Sequence, residues 1–418
     1  MRISTEAPGR PARVLVAALA AGAALLGVST AAAAPAAAES IRDQQWHIKA
    51  MRLDEAWKYS KGQGVTVAVI DSGVDPSAAG LSGKVLPGKN FAQAKGTAHD
   101  PLSPHGTGIA SLIAGSDAGP SEPVGVAPDA RILPLRTDPI LQTNLGQEES
   151  AIRAQMARAL RYAADSPAKV VNISMGVSES GKDLSDAVAY AESKGKLIIA
   201  AVGNNGDSTN EAQYPAALPG VVGVAAFDRN GSSAKFSERG PQVALAAAGV
   251  DMYHACSGGT GFCKSQGTSD STALVSGSAA LVWAKHPSWT ANQVLRVLID
   301  TAAHPVSGAK RDNVLGYGAV RPRVALETPG DPGPPGVNPL IAAAASASPT
   351  ASPSSSAAAG GPKPSSTGVG TANKAPATTA SSSSKKSGNS GLWIGVGAAA
   401  VVVVVVAAVA VMRRRRQA

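Results

Sequence analysis

The chain has 418 residues, 44% of them hydrophobic, and 38 Lys plus Arg against 29 Asp plus Glu, a net charge of +9. That length exceeds one typical domain, but both ends differ in composition from the middle, so a single globular domain of about 290 residues is predicted. Between residues 41 and 327, 27 basic residues face 26 acidic ones, which leaves +1; the excess charge sits in the ends and excludes a basic nucleic-acid-binding domain.

Residues 1–38 carry Arg2, Arg10 and Arg13, then an apolar stretch over 14–28, then small residues before Glu39. This is the layout of a signal peptide, with cleavage expected after Ala38; an uncleaved anchor is the alternative, and either exports the chain.

The middle, residues 39–327, alternates short apolar runs with helical patterns. Strands are predicted over 65–70, 131–135, 170–174, 197–202, 221–225 and 243–247, each apolar enough to be buried on both faces of a parallel sheet. Helices are predicted over 108–114, 148–164 and 183–194. The alternation indicates a doubly wound α/β fold with a mostly parallel sheet and helices on both faces. In such sheets chemistry gathers at the carboxyl ends of the strands, where Asp71, Ser174 and Asn204 all fall.

Three segments suit three catalytic tasks. Asp71 ends the run VTVAVID, His105 opens HGTGIASLIAG, and Ser269 lies in QGTSDSTALVSG. A hydroxyl is a poor nucleophile at neutral pH, so it needs a base to take its proton and a carboxylate to orient that base. The order Asp, His, Ser fits one class of serine hydrolase and not the α/β-hydrolases, which need Gly-x-Ser-x-Gly and run Ser, acid, His. His99 lacks the Gly-Thr-Gly sequel of His105, while His47, His254, His286 and His304 read as packing or surface residues. Ser271 is a rival hydroxyl to Ser269.

Cys256 and Cys263 are the only cysteines. An even pair in a Gly-rich loop of an exported chain predicts a disulfide pinning the approach to Ser269. Two cysteines without a nearby histidine pair are too few for zinc, and no cofactor or calcium loop is evident.

Residues 328–390 are rich in Ala, Ser, Pro, Thr and Gly, with one aspartate, four lysines and no aromatic residue. Such a composition predicts a disordered tether, about 45 Å long as a random coil and about 195 Å as polyproline. Residues 391–412 are apolar and residues 413–416 are four arginines. As a helix this run would be about 33 Å long, against a hydrocarbon core of about 30 Å. The basic tail, 413–418, stays cytoplasmic by the positive-inside rule, which puts everything earlier outside. No LPxTG-like motif precedes the run, so a retained single-span anchor at the cell membrane is expected.

The three catalytic segments resemble the motifs of the subtilase family of serine proteases, over roughly residues 41–326. From Gln266 to Val294 the run QGTSDSTALVSGSAALVWAKHPSWTANQV follows the family pattern without a gap. The opening IRDQQWHIKAMRLDEAWKYSKGQGVTVAVIDSGVD is most similar to the mycosins, membrane-anchored subtilases associated with type VII secretion. The resemblance implies Asp71, His105 and Ser269 as triad and Asn204 as oxyanion donor. It further implies that Asn144-Leu145-Gly146 and Ser174-Met175-Gly176 flank an extended polypeptide substrate, and that the Tyr214–Pro215 bond is cis. Three departures stand out: Asp270 directly after the nucleophile, Ser271 where the family has Ala, and Ala273 where it has Pro. The few residues between Ala38 and Ile41 leave no room for a folded inhibitory pro-domain. Two readings follow, a membrane-tethered endopeptidase processing secreted proteins and a structural component of a type VII-like secretion membrane complex.

Overall fold

A computed structural model describes residues 40–119, 121–139, 145–258 and 261–347, without the side chains of 145–147. The described residues all belong to one unit, and the predicted signal peptide, membrane span and basic tail lie outside them. No described helix is long and apolar enough to cross a membrane.

Seven parallel strands form the main sheet: β1 Thr66–Asp71, β2 Lys89–Asn90, β3 Arg131–Arg136, β4 Val170–Ile173, β5 Leu197–Ala201, β6 Val222–Phe227 and β7 Val243–Ala248, in the order β2-β3-β1-β4-β5-β6-β7. Six of the seven were legible as apolar runs; β2 is two residues long and has no period to read. Side chains alternate across the sheet, so Val67 and Val69 of β1 enter one core layer while Ala68 and Ile70 enter the other.

The helices divide accordingly. Helix α4, His105–Ala114, and helix α7, Thr268–Lys285, share one layer, and α5, Leu145–Asp165, packs with α6, Gly181–Ser193, in the other. Short helices α1 Ile41–Gln44, α2 Trp46–Ala50 and α3 Leu53–Ala56 precede β1. Helix α7 is buried on every side from Thr268 to Trp283, which suits its lack of an amphipathic pattern. Because β1 has β3 on one side and β4 on the other, the strand order reverses there, and this opens a crevice at the carboxyl end of β1.

Two differences from the sequence reading matter. Helix α4 starts at His105 instead of residue 108, because the glycines that discourage helix in isolation are needed for close packing here. The expected tether does not begin at residue 328. Helix α8, Ala291–Asp300, is followed by α9, Pro322–Glu327, and the chain then returns across α8 to form α10, Pro339–Ala347. Thr290 Oγ1 and Asn292 Nδ2 both donate to Pro335 O at 3.0 Å, Gln293 Nε2 donates to Gly333 O at 3.0 Å, and Leu340 packs on the core. The apolar Pro339-Leu340-Ile341 step inside an otherwise polar, small-residue stretch supplies the surface that composition averages away.

Strands β8, Met252–Ala255, and β9, Phe262–Ser265, form an antiparallel hairpin ahead of α7, closed by a Cys256–Cys263 disulfide. The Tyr214–Pro215 peptide bond is cis.

Candidate active site

Asp71 is the last residue of β1 and is buried, with Ser72 N donating to its Oδ1 at 2.7 Å. His105, first residue of α4, sets Nδ1 2.9 Å from both Asp71 carboxylate oxygens. The sequence permits this approach at Gly106, where a Cβ would come within 2.3 Å of Gly73 O and 3.0 Å of Asp71 Oδ1. Ser72 closes the corner: its hydroxyl donates to Ser103 O and accepts from Gly106 N at 3.2 Å, tying the end of β1 to the start of α4.

The electrostatics of His105 follow from that corner. Desolvation alone would disfavour its charge, but attraction and hydrogen bonding to the Asp71 carboxylate, with a further contribution from Asp270, outweigh it and raise the imidazole to about 9. Its side chain remains 45% exposed toward the cleft, so solvent screens part of that attraction.

Ser269 occupies the first turn of α7, where backbone N–H groups lack intrahelical partners and favour negative charge. Its Oγ donates to Ser174 O at 3.0 Å, and Ser174 Oγ donates back to Ser269 O at 3.1 Å. Ser174 is itself held by Asn172 Nδ2 at 3.0 Å, and Asn172 Oδ1 accepts from Ser276 Oγ at 2.9 Å, so a buried polar ladder joins β4 to α7.

Asn204 follows β5. Its Oδ1 accepts from Thr268 N at 2.9 Å and Thr268 Oγ1 at 3.0 Å, which leaves Nδ2 as the end able to donate into the cleft. Gly203, at φ +116°, backs this loop: a Cβ there would meet the Glu238 carboxyl at 2.3 Å. Glu238 is buried, and desolvation pushes its carboxyl up to about 7.

Asp71, His105, Ser269 and Asn204 line one cleft of about 970 Å³, together with Ser174, Met175 and Gly176. Of the other expected substrate-flanking segment, Asn144 lies outside the described residues, while Leu145 and Gly146 open α5. The sequence reading missed Glu149, Arg153, Glu179, Glu211 and Gln213, which also face the cleft. They are scattered over three segments, and only the fold brings them together. Arg153 pairs with Asp183 at 3.2 Å, and Glu149 accepts from Ser178 N at 3.2 Å.

The rival groups go elsewhere. Ser271 is buried and donates to Ala247 O and Ala248 O, both at 3.1 Å. His99 Nε2 lies 2.8 Å from Leu86 O, and Asp75 accepts from Ser77 N at 2.8 Å as a turn cap. Among the described residues no cluster of His, Cys, Asp and Glu is arranged to hold a metal ion.

The sequence profile of the subtilase family matches residues 62–318. A thermophilic serine proteinase of Bacillus sp. strain AK1 is 35% identical over 274 residues, covering 64% of this chain and 64% of the relative; the chain thus spans less than two thirds of that protein. Mycosin-1 of Mycolicibacterium smegmatis is 32% identical over 334 residues, covering 68% of this chain and 73% of the relative. The crystal structure of MycP1 from Mycobacterium smegmatis superposes with a TM-score of 0.61 at 31% identity, over 72% of this chain and 88% of that one. A chain of an intact ESX-5 inner membrane complex superposes with a TM-score of 0.58 at 29% identity, over 69% of this chain and 79% of that one.

Proposed function

This chain belongs to the subtilase family, and from that premise we propose that it is a serine endopeptidase cutting polypeptides by an Asp71-His105-Ser269 triad. The observation that carries the reading is the 2.9 Å approach of His105 Nδ1 to Asp71 in the cleft that also holds Ser269 and Asn204. Ser269 Oγ attacks the scissile carbonyl carbon as its proton passes to His105 Nε2, while Asp71 holds the imidazolium formed. The oxyanion accepts from Asn204 Nδ2 and from Ser269 N in the first turn of α7. Collapse breaks the C–N bond, with the His105 proton going to the leaving amine. Water, deprotonated by the same imidazole, then hydrolyses the acyl-Ser269 ester. Before attack the Ser269 hydroxyl must leave Ser174 O, to which it donates at 3.0 Å, and turn toward His105. Main-chain pairing along 174–176 gives sequence-tolerant affinity, and Asn144, Leu145 and Gly146 complete the opposite edge.

The same reading extends to residues outside the described set. Residues 1–38 export the chain, the segment ahead of 391 tethers the domain of 39–327, residues 391–412 span the membrane, and 413–418 remain cytoplasmic. The substrates are exported proteins of a type VII-like pathway, a reading supported by similarity to MycP1 from the ESX-1 type VII secretion system. The likeness to a chain of the ESX-5 inner membrane complex favours a second role, as a structural member of a secretion complex with proteolysis secondary.

The test is to treat the full chain, purified in detergent, with a fluorophosphonate and to locate the label by mass spectrometry. Label at Ser269 that disappears in Ser269→Ala and His105→Ala supports the peptidase. A folded chain that takes no label leaves only the structural role, and label at Ser271 overturns the assignment.

A further inference from the structure

Asp270, the departure directly after the nucleophile, is buried, and its side chain turns away from the cleft toward the β8–β9 hairpin. Its Oδ2 accepts from Ser265 Oγ at 2.9 Å. Ser265 Oγ lies 3.0 Å from His254 Nε2, and His254 Nδ1 lies 2.9 Å from the carbonyl oxygen of Ala255. The far end of this chain presses on the helix of the base. A Cβ on Gly108 would come within 2.5 Å of the His254 ring, and Ala255 N donates to Ser111 Oγ at 3.1 Å. Gly108 and Ser111 stand three and six positions after His105, on the face of α4 that meets the hairpin.

Three contacts, Nδ1 to Ala255 O, Nε2 to Ser265 Oγ, and Ser265 Oγ to Asp270 Oδ2, need one hydrogen each. A neutral histidine, a serine hydroxyl and an ionised aspartate supply only two between them. A third proton must reside on His254 or Asp270, or one buried contact becomes a lone pair facing a lone pair. The Ala255 carbonyl can only accept, so Nδ1 is always protonated.

We propose that Asp270, Ser265 and His254 form a buried relay that binds one proton and acts on His105 as a positioning unit. Loaded, the relay is neutral and fully hydrogen-bonded. Unloaded, it presents the Asp270 carboxylate charge to His105 and makes that imidazole hold its own proton more firmly. The charged group that acts on both Asp270 and His254 is His105; Lys264 and Asp251 pair with each other at 2.6 Å on the outer side of the hairpin. Burial pushes the Asp270 carboxyl up to about 6 and depresses His254, the directions that favour the loaded, uncharged pair. The relay is thus a second ionisation set against the first, linking the helix of the nucleophile to the helix of the base through the hairpin.

This inference rests on the peptidase reading, and the rate of fluorophosphonate labelling at Ser269 against pH separates the two. Asp270→Asn mimics the loaded state, since its amide donates to Ser265 Oγ and carries no charge. The pH at which labelling reaches half its maximum should fall by roughly half a unit to one unit relative to the unaltered full chain. An unaltered chain that takes no label sinks the peptidase reading. An unaltered chain that labels, with the variant's midpoint unmoved or raised, overturns the relay alone. Ring ¹⁵N shifts of His254 in the unaltered chain give a measurement that needs no variant to fold. Nδ1 should remain protonated between about pH 5 and 8, and a bare Nδ1 with protonated Nε2 would refute the relay.

Discussion

Ser269 and Ser174 hold each other: the side-chain hydroxyl of each donates to the main-chain carbonyl oxygen of the other, at 3.0 and 3.1 Å. Ser269 is therefore registered on the end of β4 as well as on its own helix. Ser174→Ala should remove the return bond and leave Asn172 Nδ2 without its acceptor. Loss of a buried partner costs about 1–3 kcal/mol, and thermal unfolding of the variant should shift down by several degrees. Turnover should persist, because the proposed substrate pairing along 174–176 uses the main chain, which alanine keeps. A Ser174→Ala chain that melts like the parent would mean the ladder does not bear on stability.

The His105 ionisation should appear twice, with opposite signs. Catalysis needs the neutral imidazole, so kcat/KM should rise with pH, with a midpoint between the ordinary 6.5 and about 9 because the ring is partly solvated. Stability moves the other way. A histidine held above its unfolded value stabilises fully below about 6.5, and that contribution fades as pH rises through about 9. Peptide-cleavage rates and chemical-denaturation midpoints across this window check both signs, and an activity midpoint below 6 contradicts the Asp71 pairing.

Asn204 and Asn205 should separate cleanly. In the proposed mechanism Asn204→Ala removes the donor to the charged intermediate, so kcat should fall about 10²–10³-fold with KM little changed, the magnitude of the equivalent loss in subtilisin. Asn205 is tied through its backbone, its N donating to Glu238 Oε1 at 3.4 Å and its carbonyl accepting from Asn210 N at 2.8 Å, and alanine keeps both. Asn205→Ala should therefore stay within a few-fold of the parent in single-turnover assays. Equal losses in the two variants would remove Asn204 from its special role.

Reducing the Cys256–Cys263 disulfide should loosen the hairpin before it disturbs the sheet. Closing so short a loop is worth roughly 2–3 kcal/mol in the chain-entropy view. The loop is also held where Gly258 N donates to Asp75 Oδ2 at 2.7 Å. The double variant Cys256→Ala, Cys263→Ala should melt several degrees lower and exchange the β8–β9 amides faster in hydrogen-exchange mass spectrometry. Unchanged exchange there would show that the hairpin is held without the bond.

The sheet was legible because buried parallel strands are continuous apolar words, and Asp71, His105 and Ser269, which line one cleft, because each sits in a distinctive local phrase at a strand or helix end. What sequence reading could not supply is whatever depends on long-range assembly. Asp270 looks like a cleft residue from its place beside Ser269, yet a helix turns successive side chains by about 100° and carries it to the hairpin. Ser271, one step on, turns again and is spent on β7. Glu149, Glu179 and Glu211 share no window of sequence, and His254 reads as ordinary packing until Ser265 and Asp270 are seen in line with it. The strap of 328–347 hid in composition, since three large apolar residues, Val337, Leu340 and Ile341, among small ones leave no periodic mark.

That strap fixes where force enters the domain. Asn338 Nδ2 reaches Gly220 O at 3.4 Å, just before β6 begins, and Ile341 lies in a hollow shared with Leu197 at the head of β5. Those are the amino ends of the strands, whereas Asp71, Ser174 and Asn204 stand at the carboxyl ends. Anything fastened beyond Ala347 thus grips the domain by its heel. A load applied at Ala347 is therefore borne by α8 and α10, at the end of the sheet opposite Asp71, Ser174 and Asn204.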